Sequence, residues 1–567
     1  MKSLRTFAFL STLAVAAAAQ APLYDLSGQP GDRYGHSVAW VGDVDGDGLE
    51  DIAVGATHGD GLQPDAGYVL IRAAKDAKTI VKIRGERTGD LFGWAIAGLG
   101  DVDGDGAGDL VIGAPGHEWT AGTDRGASYV FSGATGAQIK KLGGSADGDQ
   151  FGWAVAGPGD IDGDGIPDYA TGVPGSDIPQ TDTGRVWVHS GANNTLLRQY
   201  SGQAAGDRFG SSLAAVGDVN GDGVPDLLAG APGVNSGFLQ DVGRGYVLSG
   251  AASNTVVFSR TGTYVGGQLG YAVAGGLDAD LDGVPDAIFG EPFANANGSN
   301  SGRALLISGA TQAVLHSFTG SFDELLGTAV GGMRDVDLDG HGDLIVGAPA
   351  ADVPPYLDIG VAKVFSGKSG ALLFQMNGHA AGEGFGSAVA GAGRLNADAA
   401  TDVIAGSPSY GGLGPDGGRV RVVLGSAPYP KSYCTAKTNS AGCLPKIGFT
   451  GCASFSAGNY FVLHGYDVLP NVVGILIWSL QPDAVPFHGG TLCLASPVKR
   501  TPAQFSIVTG PGTCDARYEF LFNQTYMSSQ GLAPGMAVYA QYWSRDNGFA
   551  PPNNVGLTGG LEFITLP

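Results

Sequence analysis

Phe92-Gly-Trp-Ala-Ile-Ala-Gly-Leu-Gly-Asp101-Val-Asp-Gly-Asp-Gly-Ala-Gly-Asp109-Leu-Val-Ile-Gly113-Ala-Pro115 decides the fold. Two short apolar runs flank a loop made of carboxylates and glycines. Such a pattern reads as a β-hairpin whose turn is built to hold a cation. Related loops begin at Asp43, Asp101, Asp160, Asp218, Asp278 and Asp335, and a degenerate seventh begins at Arg394. Their spacings are 58, 59, 58, 60, 57 and 59 residues. A period near 60 held this long means an array of like units.

Each unit reads as four strands. In the first these are Gly35 to Val41, Asp51 to Val54, Gly67 to Ile71 and Thr79 to Ile83, set apart by Gly and Asp. Four-stranded units repeated radially give an all-β, seven-bladed β-propeller, and a linear solenoid is the alternative. Repeat seven favours the closed ring. It has Phe385 to Ala390, Asp402 to Ala405 and Arg419 to Leu424, but Ser426-Ala-Pro-Tyr-Pro-Lys431 stands where its fourth strand belongs. The lost piece is at the start of the chain. Leu23 to Gly35 matches Leu197 to Gly210, which holds the fourth strand of repeat three. Leu23 to Ser27 is therefore expected to pair with the strand containing Val420 to Leu424 and to latch the ring.

Phe92-Gly93 with Gly113-Ala-Pro115, Phe209-Gly210 with Gly230-Ala-Pro232, and Gly347-Ala-Pro349 resemble the FG-GAP repeat of integrin α-subunit propellers. Variants are Tyr34-Gly35, Phe151-Gly152 with Gly172-Val-Pro174, Gly290-Glu-Pro292, and Phe385-Gly386 with Gly406-Ser-Pro408. The resemblance covers about residues 22 to 425. It implies a seven-bladed propeller with calcium loops, in a family used mostly for adhesion and recognition. The same repeat also decorates some secreted enzymes.

Calcium takes six to eight hard oxygens, and carboxylates at positions 1, 3, 5 and 9 with a carbonyl at 7 aim at one point. Glycine at position 6 permits the bend. Loop one offers Asp43, Asp45, Asp47 and Asp51 with the Leu49 carbonyl. Loop two offers Asp101, Asp103, Asp105 and Asp109 with Ala107, and loop three Asp160, Asp162, Asp164 and Asp168 with Ile166. Loop four has Asp218, Asn220, Asp222 and Asp226 with Val224; its Asn keeps an oxygen and drops a charge. Loop five has Asp278, Asp280, Asp282 and Asp286 with Val284, and loop six Asp335, Asp337, Asp339 and Asp343 with His341 through its carbonyl. Leu281 and Leu338 replace the position-4 glycine in the last two. In loop seven Arg394 takes position 1, and a cation there argues against metal. The competing reading is a set of Asx-rich turns, but it crowds like charges six times over. Magnesium, which demands tight octahedra, fits less well.

Net charge is −23, and nearly half of the 54 acidic residues are aspartates of these loops. An acidic surface repels phosphate, so nucleic acid is not an expected partner. The glycine count of 98 suits tight turns in a β array. Met1-Lys-Ser-Leu-Arg5, an apolar stretch to Ala16 and Ala17-Ala-Ala19 read as a secretory signal, residues 1–19. No later run is long enough for a membrane span. Export permits disulfides, and all five cysteines follow residue 430. Their spacing pairs Cys434 with Cys443 and Cys493 with Cys514, leaving Cys452 free.

The expected organisation is a propeller over 20–425, a linker over 426–431 and a smaller β-sandwich-like domain over 432–567, where the period stops. Val462, Val468 to Trp478 and Ala537 to Trp543 read as its strands. Tyr433 to Ser440 and Gly489 to Cys493 resemble a C-terminal module of secreted bacterial proteins.

In a propeller, the loops from second to third strand crowd the face opposite the acidic turns. Here they carry His117, Trp119, Asp124, Arg125, Phe238, Asn295, Tyr356 and Asp358, a polar and aromatic rim suited to an extracellular protein or glycan. The chain has no Gly-x-Ser-x-Gly elbow and no His-Glu-x-x-His helix, and no catalytic residues are expected. A calcium-stabilised, secreted recognition or adhesion protein is the expected function. A secreted hydrolase or polysaccharide-acting enzyme on the same scaffold is the alternative.

Overall fold

The computed structural model describes residues 24–565, apart from 119–123, 338, 354–355, 394, 396–400, 413, 424, 426–430, 435, 451–460, 489, 509–512, 534–535, 547 and 552–553. The expected signal segment lies outside the described residues. The chain divides into two compact units, Met1–Gly425 and Ser426–Pro567.

The first unit contains seven four-stranded antiparallel sheets. Blade one runs Tyr34–Trp40, Ile52–Ala56, Tyr68–Arg72 and Thr79–Arg84 from inside to outside. The next five repeat that order. Blade seven has Ala388–Gly393, Asp402–Ser407 and Arg419–Val423 from its own repeat, and Tyr24–Ser27 supplies the outer strand. Tyr24 pairs with Val422 and Ser27 with Arg419, antiparallel. The expected latch is formed.

Each innermost strand neighbours the next, and Ala388–Gly393 neighbours Tyr34–Trp40. All seven line one narrow channel. The architecture is thus a closed seven-bladed propeller.

The repeat motif has a packing reason. Within blade two the Gly93 N–H donates to the Gly113 carbonyl at 3.1 Å, and Gly210 does the same to Gly230 at 2.9 Å. Across blades, a Cβ on Gly113 would strike the Gly152 oxygen, and one on Gly230 the Gly270 oxygen. The glycine of one blade's Gly-x-Pro therefore lies backbone to backbone against the aromatic-Gly of the next. Gly406 meets Gly35 in the same way and joins blade seven to blade one. The aromatic partner fills the seam: Tyr34, Phe92, Phe151, Phe209 and Phe385 are all buried. Between blades one and two it joins Val69, Ile71, Ile112 and Tyr129 in one apolar cluster. Leu269 and Leu326 take this place in blades five and six.

His189 lies within blade three, stacked on Tyr169 at 5.7 Å. Its Nδ1 is buried without a hydrogen-bond partner, and burial pushes its pKa down to about 4. The folded value is below the unfolded one, so the unfolded chain binds the proton first and stability falls as pH drops from about 6.5 towards 4. This one group accounts for up to about 3 kcal/mol of that loss. His189→Phe should flatten this part of the acid limb in urea titrations at pH 7 and pH 4.5; an unchanged wild-type slope would refute the assignment.

The second unit is nearly all β. Lys431–Cys434, Gly560–Ile564, Ala537–Arg545, Val473–Ser479 and Lys499–Arg500 are neighbours in one sheet, and Lys446–Thr450, Val462–Val468, Ala516–Leu521 and Ile507–Val508 form a second. Leu463 and Tyr518 of one sheet share a core with Trp478, Tyr542 and Phe563 of the other. The run read as one strand from Val468 to Trp478 is broken at Pro470-Asn471, where Asn471 takes a positive φ of 55°. The first strand already begins at Lys431, inside the stretch read as linker.

The expected cysteine pairing is overturned. Cys443 bonds Cys514, 71 residues away, across a Cα separation of 6.1 Å. Cys493 is also disulfide-bonded. Cysteines close in sequence are not the ones that the strands bring together. Cys452 lies outside the described residues.

Candidate metal centres and the opposite face

The acidic loops join first to second strands, so they share one face of the ring. Their local geometry repeats. In loop one, Asp43 accepts from the amides of Gly46 at 2.8 Å and Gly48 at 2.9 Å. Asp45 accepts from Asp47 at 3.2 Å, and Asp47 from Leu49 at 3.0 Å. Those amide bonds curl the turn and point the remaining lone pairs inward. Loops two, three and four have the same bonds at Asp101, Asp160 and Asp218. In loop four the Asn220 amide nitrogen turns to Ser249 at 3.4 Å while its oxygen stays in the turn.

The carboxylates converge. Ligand atoms of Asp43, Asp45 and Asp51 lie within 4.8 Å of one another, as do those of Asp101, Asp103 and Asp109, and of Asp160, Asp162 and Asp168. In loops five and six the groups are Asp278, Asp280 and Asp282, and Asp335, Asp337 and Asp339. The donor set is all hard oxygen, which suits calcium. Loop five adds a specific sign. Leu281 stands at position 4 with φ 60°, and Asp278 Oδ1 is buried with no hydrogen-bond partner. A buried carboxylate oxygen left unpaired is costly, and a cation at that point would satisfy it.

The position-nine acids do a second job. Asp51, Asp109, Asp168, Asp226, Asp286 and Asp343 are fully buried. In Asp286, Oδ2 accepts from Ala279 at 2.8 Å and Oδ1 from Gly309 at 3.0 Å. One bond holds the acidic loop and the other holds the turn between third and fourth strands. The six others, including Asp402 of loop seven, form equivalent pairs. This tether persists where the rest of the ligand pattern is degenerate. Arg394, Asn396 and Asp398 lie outside the described residues. Asp402→Asn, which loses one acceptor oxygen, should cost about 1–3 kcal/mol. The loss should be the same in calcium and in chelator, measured by urea denaturation. A loss seen only with calcium would make Asp402 a ligand instead.

Burial pushes Asp51, Asp168 and Asp286 up to about 6, and Asp343 up to about 7. The tethering amides oppose the rise, and neighbouring loop carboxylates add to it. Such clustered negative charge wants a counter-ion. In loop six Lys368 Nζ approaches Asp339 at 3.7 Å.

Neighbouring loops are also linked. Gly108 of loop two donates to the Asp43 carbonyl of loop one at 3.3 Å, and Gly342 of loop six to the Asp278 carbonyl of loop five at 2.9 Å. The sequence gives His341 only a carbonyl role, but its Nδ1 donates to the Ala279 carbonyl of loop five at 2.6 Å. The side chain ties two turns together.

The opposite face differs from the expected rim. His117 is buried, with Nδ1 3.1 Å from Asp90, so it holds two loops together and is closed to a ligand. Trp119 lies outside the described residues. Asp124 and Asp358 adopt positive φ, and their carbonyls accept from Gln150 and Gly384 of the following blades. Arg125 pairs with Asp147 at 2.7 Å, and the Asn295 oxygen accepts from Asn300. Of the expected rim, Phe238 and Tyr356 stand out in solvent.

The residue after each aromatic-Gly was missed by sequence reasoning. Trp94 and Trp153 hold this place in blades two and three, with ring centroids 4.7 Å apart, and His36 of blade one lies 4.5 Å from Trp94. Aligning the repeats at their aromatic-Gly would have found them.

The FG-GAP repeat family model matches residues 34–71, 92–131, 151–189 and 209–248, which lie in blades one to four. Integrin alpha-5 of Xenopus laevis is 33% identical over 230 residues, 38% of this chain and 21% of that protein. Integrin alpha-V of Gallus gallus is 34% identical over 230 residues, 37% of this chain and 21% of that protein. Phosphatidylinositol-glycan-specific phospholipase D of Rattus norvegicus is 35% identical over 171 residues, 27% of this chain and 20% of that protein. The chain thus spans about a fifth of the length of the curated relatives it matches. Residues 34–71, 92–131, 151–189 and 209–248 are thus FG-GAP repeats, set in a propeller whose glycine motifs pack blade on blade, and this part of the chain is similar to integrin alpha subunits.

Proposed function

We propose that the protein is a secreted, calcium-stabilised recognition or adhesion propeller that binds an extracellular protein or glycan. The observation that carries the calcium part is the sixfold acidic turn, with converged carboxylates in five loops and an orphaned Asp278 oxygen in the fifth. The loop residues at positions 1, 3 and 5, with the position-7 carbonyl and the position-nine acid, would hold the ion. Bound calcium supplies charge compensation and rigidity to the turns; chemistry on a ligand is not its task here. The recognition part is supported by the integrin relatives and by the geometry of an antiparallel blade. With the acidic turns on one face, the loops of the other face are left to meet a ligand. Among the described residues no helix is long and apolar enough to cross a membrane.

The test is capture. The chain, immobilised in calcium and in chelator, is exposed to cell-surface extract and to a glycan array. Specific capture that needs calcium supports the reading; capture in neither buffer overturns it. The phospholipase D relatives favour one second reading, a secreted hydrolase. Release of a cleaved product from the same extract would move the assignment there.

A further inference from the structure

Seven equivalent positions surround the mouth of the propeller on the face opposite the acidic turns. In each blade a tight turn precedes the first strand. The residue before the aromatic-Gly has a positive φ in all seven: Arg33, Leu91, Gln150, Arg208, Gln268, Leu325 and Gly384. The residue after that glycine donates its N–H back across the turn, as Trp153 does to Gln150 at 3.1 Å and Tyr271 to Gln268 at 3.0 Å. The inner residues of the motif are fixed by seam packing. The two flanking positions are free of that duty and differ from blade to blade.

Their variation is not even round the ring. After the glycine come His36, Trp94, Trp153, Ser211, Tyr271, Thr328 and Ser387. Aromatic rings stand in blades one to three and five, with Ser211 in blade four between them, and Trp94 and Trp153 lie side by side and half-buried. Beside them a cavity of about 570 Å³ opens, lined by both indoles, Tyr271, Gln150, Gln268 and Arg208 among others. Six of seven positive-φ residues carry a side chain where glycine would be easier. Three of these side chains, Gln150, Arg208 and Gln268, reach the cavity.

We propose that this cavity binds a short pyranose oligosaccharide. The volume is in the range of small-ligand sites. Indole faces offer flat apolar surface to the C–H face of a sugar ring. Two planar amides and a hydroxyl present both donors and acceptors, as sugar hydroxyls require. The polar charge is light and mixed, Arg208 against Asp182, so neither a strong anion nor a strong cation is called for. The site rests on the reading of this face as the recognition face, and narrows its ligand to a glycan.

The experiment titrates the full chain in calcium with neutral and uronic-acid pyranose oligosaccharides, followed by tryptophan fluorescence and calorimetry. Saturable binding is expected, weakened about tenfold or more by Trp94→Ala and by Trp153→Ala. Phe at either position should restore part of it. Gln268→Ala, on the polar side of the cavity, should weaken binding with no change in melting temperature, which guards against a merely unfolded tryptophan variant. The neutral and acidic series show whether Arg208 selects a carboxylate. Binding unchanged in both Trp→Ala variants overturns the site. No saccharide binding, with capture of an extract protein retained, overturns the glycan assignment and leaves the recognition reading standing. Competition by an uncharged peptide that depends on Trp94 would instead make this a protein-docking cavity.

Discussion

Chelation of the protein with excess EGTA should lower the midpoint of propeller unfolding by roughly 5–10 °C relative to about 1 mM calcium. The magnitude follows from the loop chemistry. Extracellular calcium modules often bind at about 10⁻⁴–10⁻³ M, and at about 1 mM calcium each such site adds roughly 0.4–1.4 kcal/mol. Six sites acting on one folded unit contribute several kcal/mol. The loop geometry explains why an ion matters. Asp43 and its equivalents spend their oxygens on loop amides, yet the carboxylates still lie together. Burial of Asp343, with Asp337 and Asp335 beside it, holds its carboxyl up to about 7. A divalent cation removes the repulsion that the turn cannot. Because Gly108 bonds to the Asp43 carbonyl and Gly342 to that of Asp278, the loss should spread beyond the turn that loses its ion. Differential scanning calorimetry with calcium, magnesium and chelator tests this. Calcium should restore the melt and magnesium should not. An unchanged melt in chelator sinks the structural role of the metal.

The blades were legible because the acidic loops set a phase for the whole period. Once Asp101 to Asp109 is read as a turn, Ala95–Gly100 and Asp109–Ala114 must be strands on either side. The latch was legible because Leu23 to Gly35 copies an internal stretch whose place was known. What sequence could not give depends on distant partners. Asp286 looks like a ninth-position ligand, but its tether ends at Gly309. His117 looks like a loop histidine, but Asp90 from the preceding inter-blade loop buries it. Cys443 reaches Cys514 because the fold of the second unit, not the spacing, brings the two together. Trp94 and Trp153 are single residues in separate repeats, and it is the packing of one blade on the next that makes them neighbours.

Removing the latch's charge should destabilise the propeller by about 1.5–3 kcal/mol. The latch strand is short, Tyr24–Ser27, and alternates half-buried and exposed, so its backbone pairing is not its only hold. Asp25 accepts from Nε and Nη2 of Arg419, a two-pronged pair. Arg419 is itself buried. Its Nη1 lies 2.9 Å from His379 Nδ1 and 3.9 Å from the buried Glu383, and its guanidinium stacks 4.6 Å over Tyr410. Burial, then the charges of Arg421 and Arg419, push the His379 pKa down. This favours the neutral ring, whose Nδ1 accepts a hydrogen bond from Arg419 Nη1. Arg421 lies 3.7 Å from Asp25, and burial holds its pKa down to about 10. Asp25 therefore faces two buried guanidiniums that depend on it. Asp25→Ala should unfold in less urea than wild type by that margin. Asp25→Asn should cost less, since it keeps an acceptor. The defect should persist in high salt, as a partly buried pair is poorly screened. A latch that lets go also bares the edge of Arg419–Val423, and exposed edges recruit other chains. Size-exclusion chromatography of Asp25→Ala should show concentration-dependent oligomers absent from wild type. A monomeric variant with wild-type urea midpoint would mean that the ring is held by its glycine seams alone, with Gly406 on Gly35 sufficient to close it.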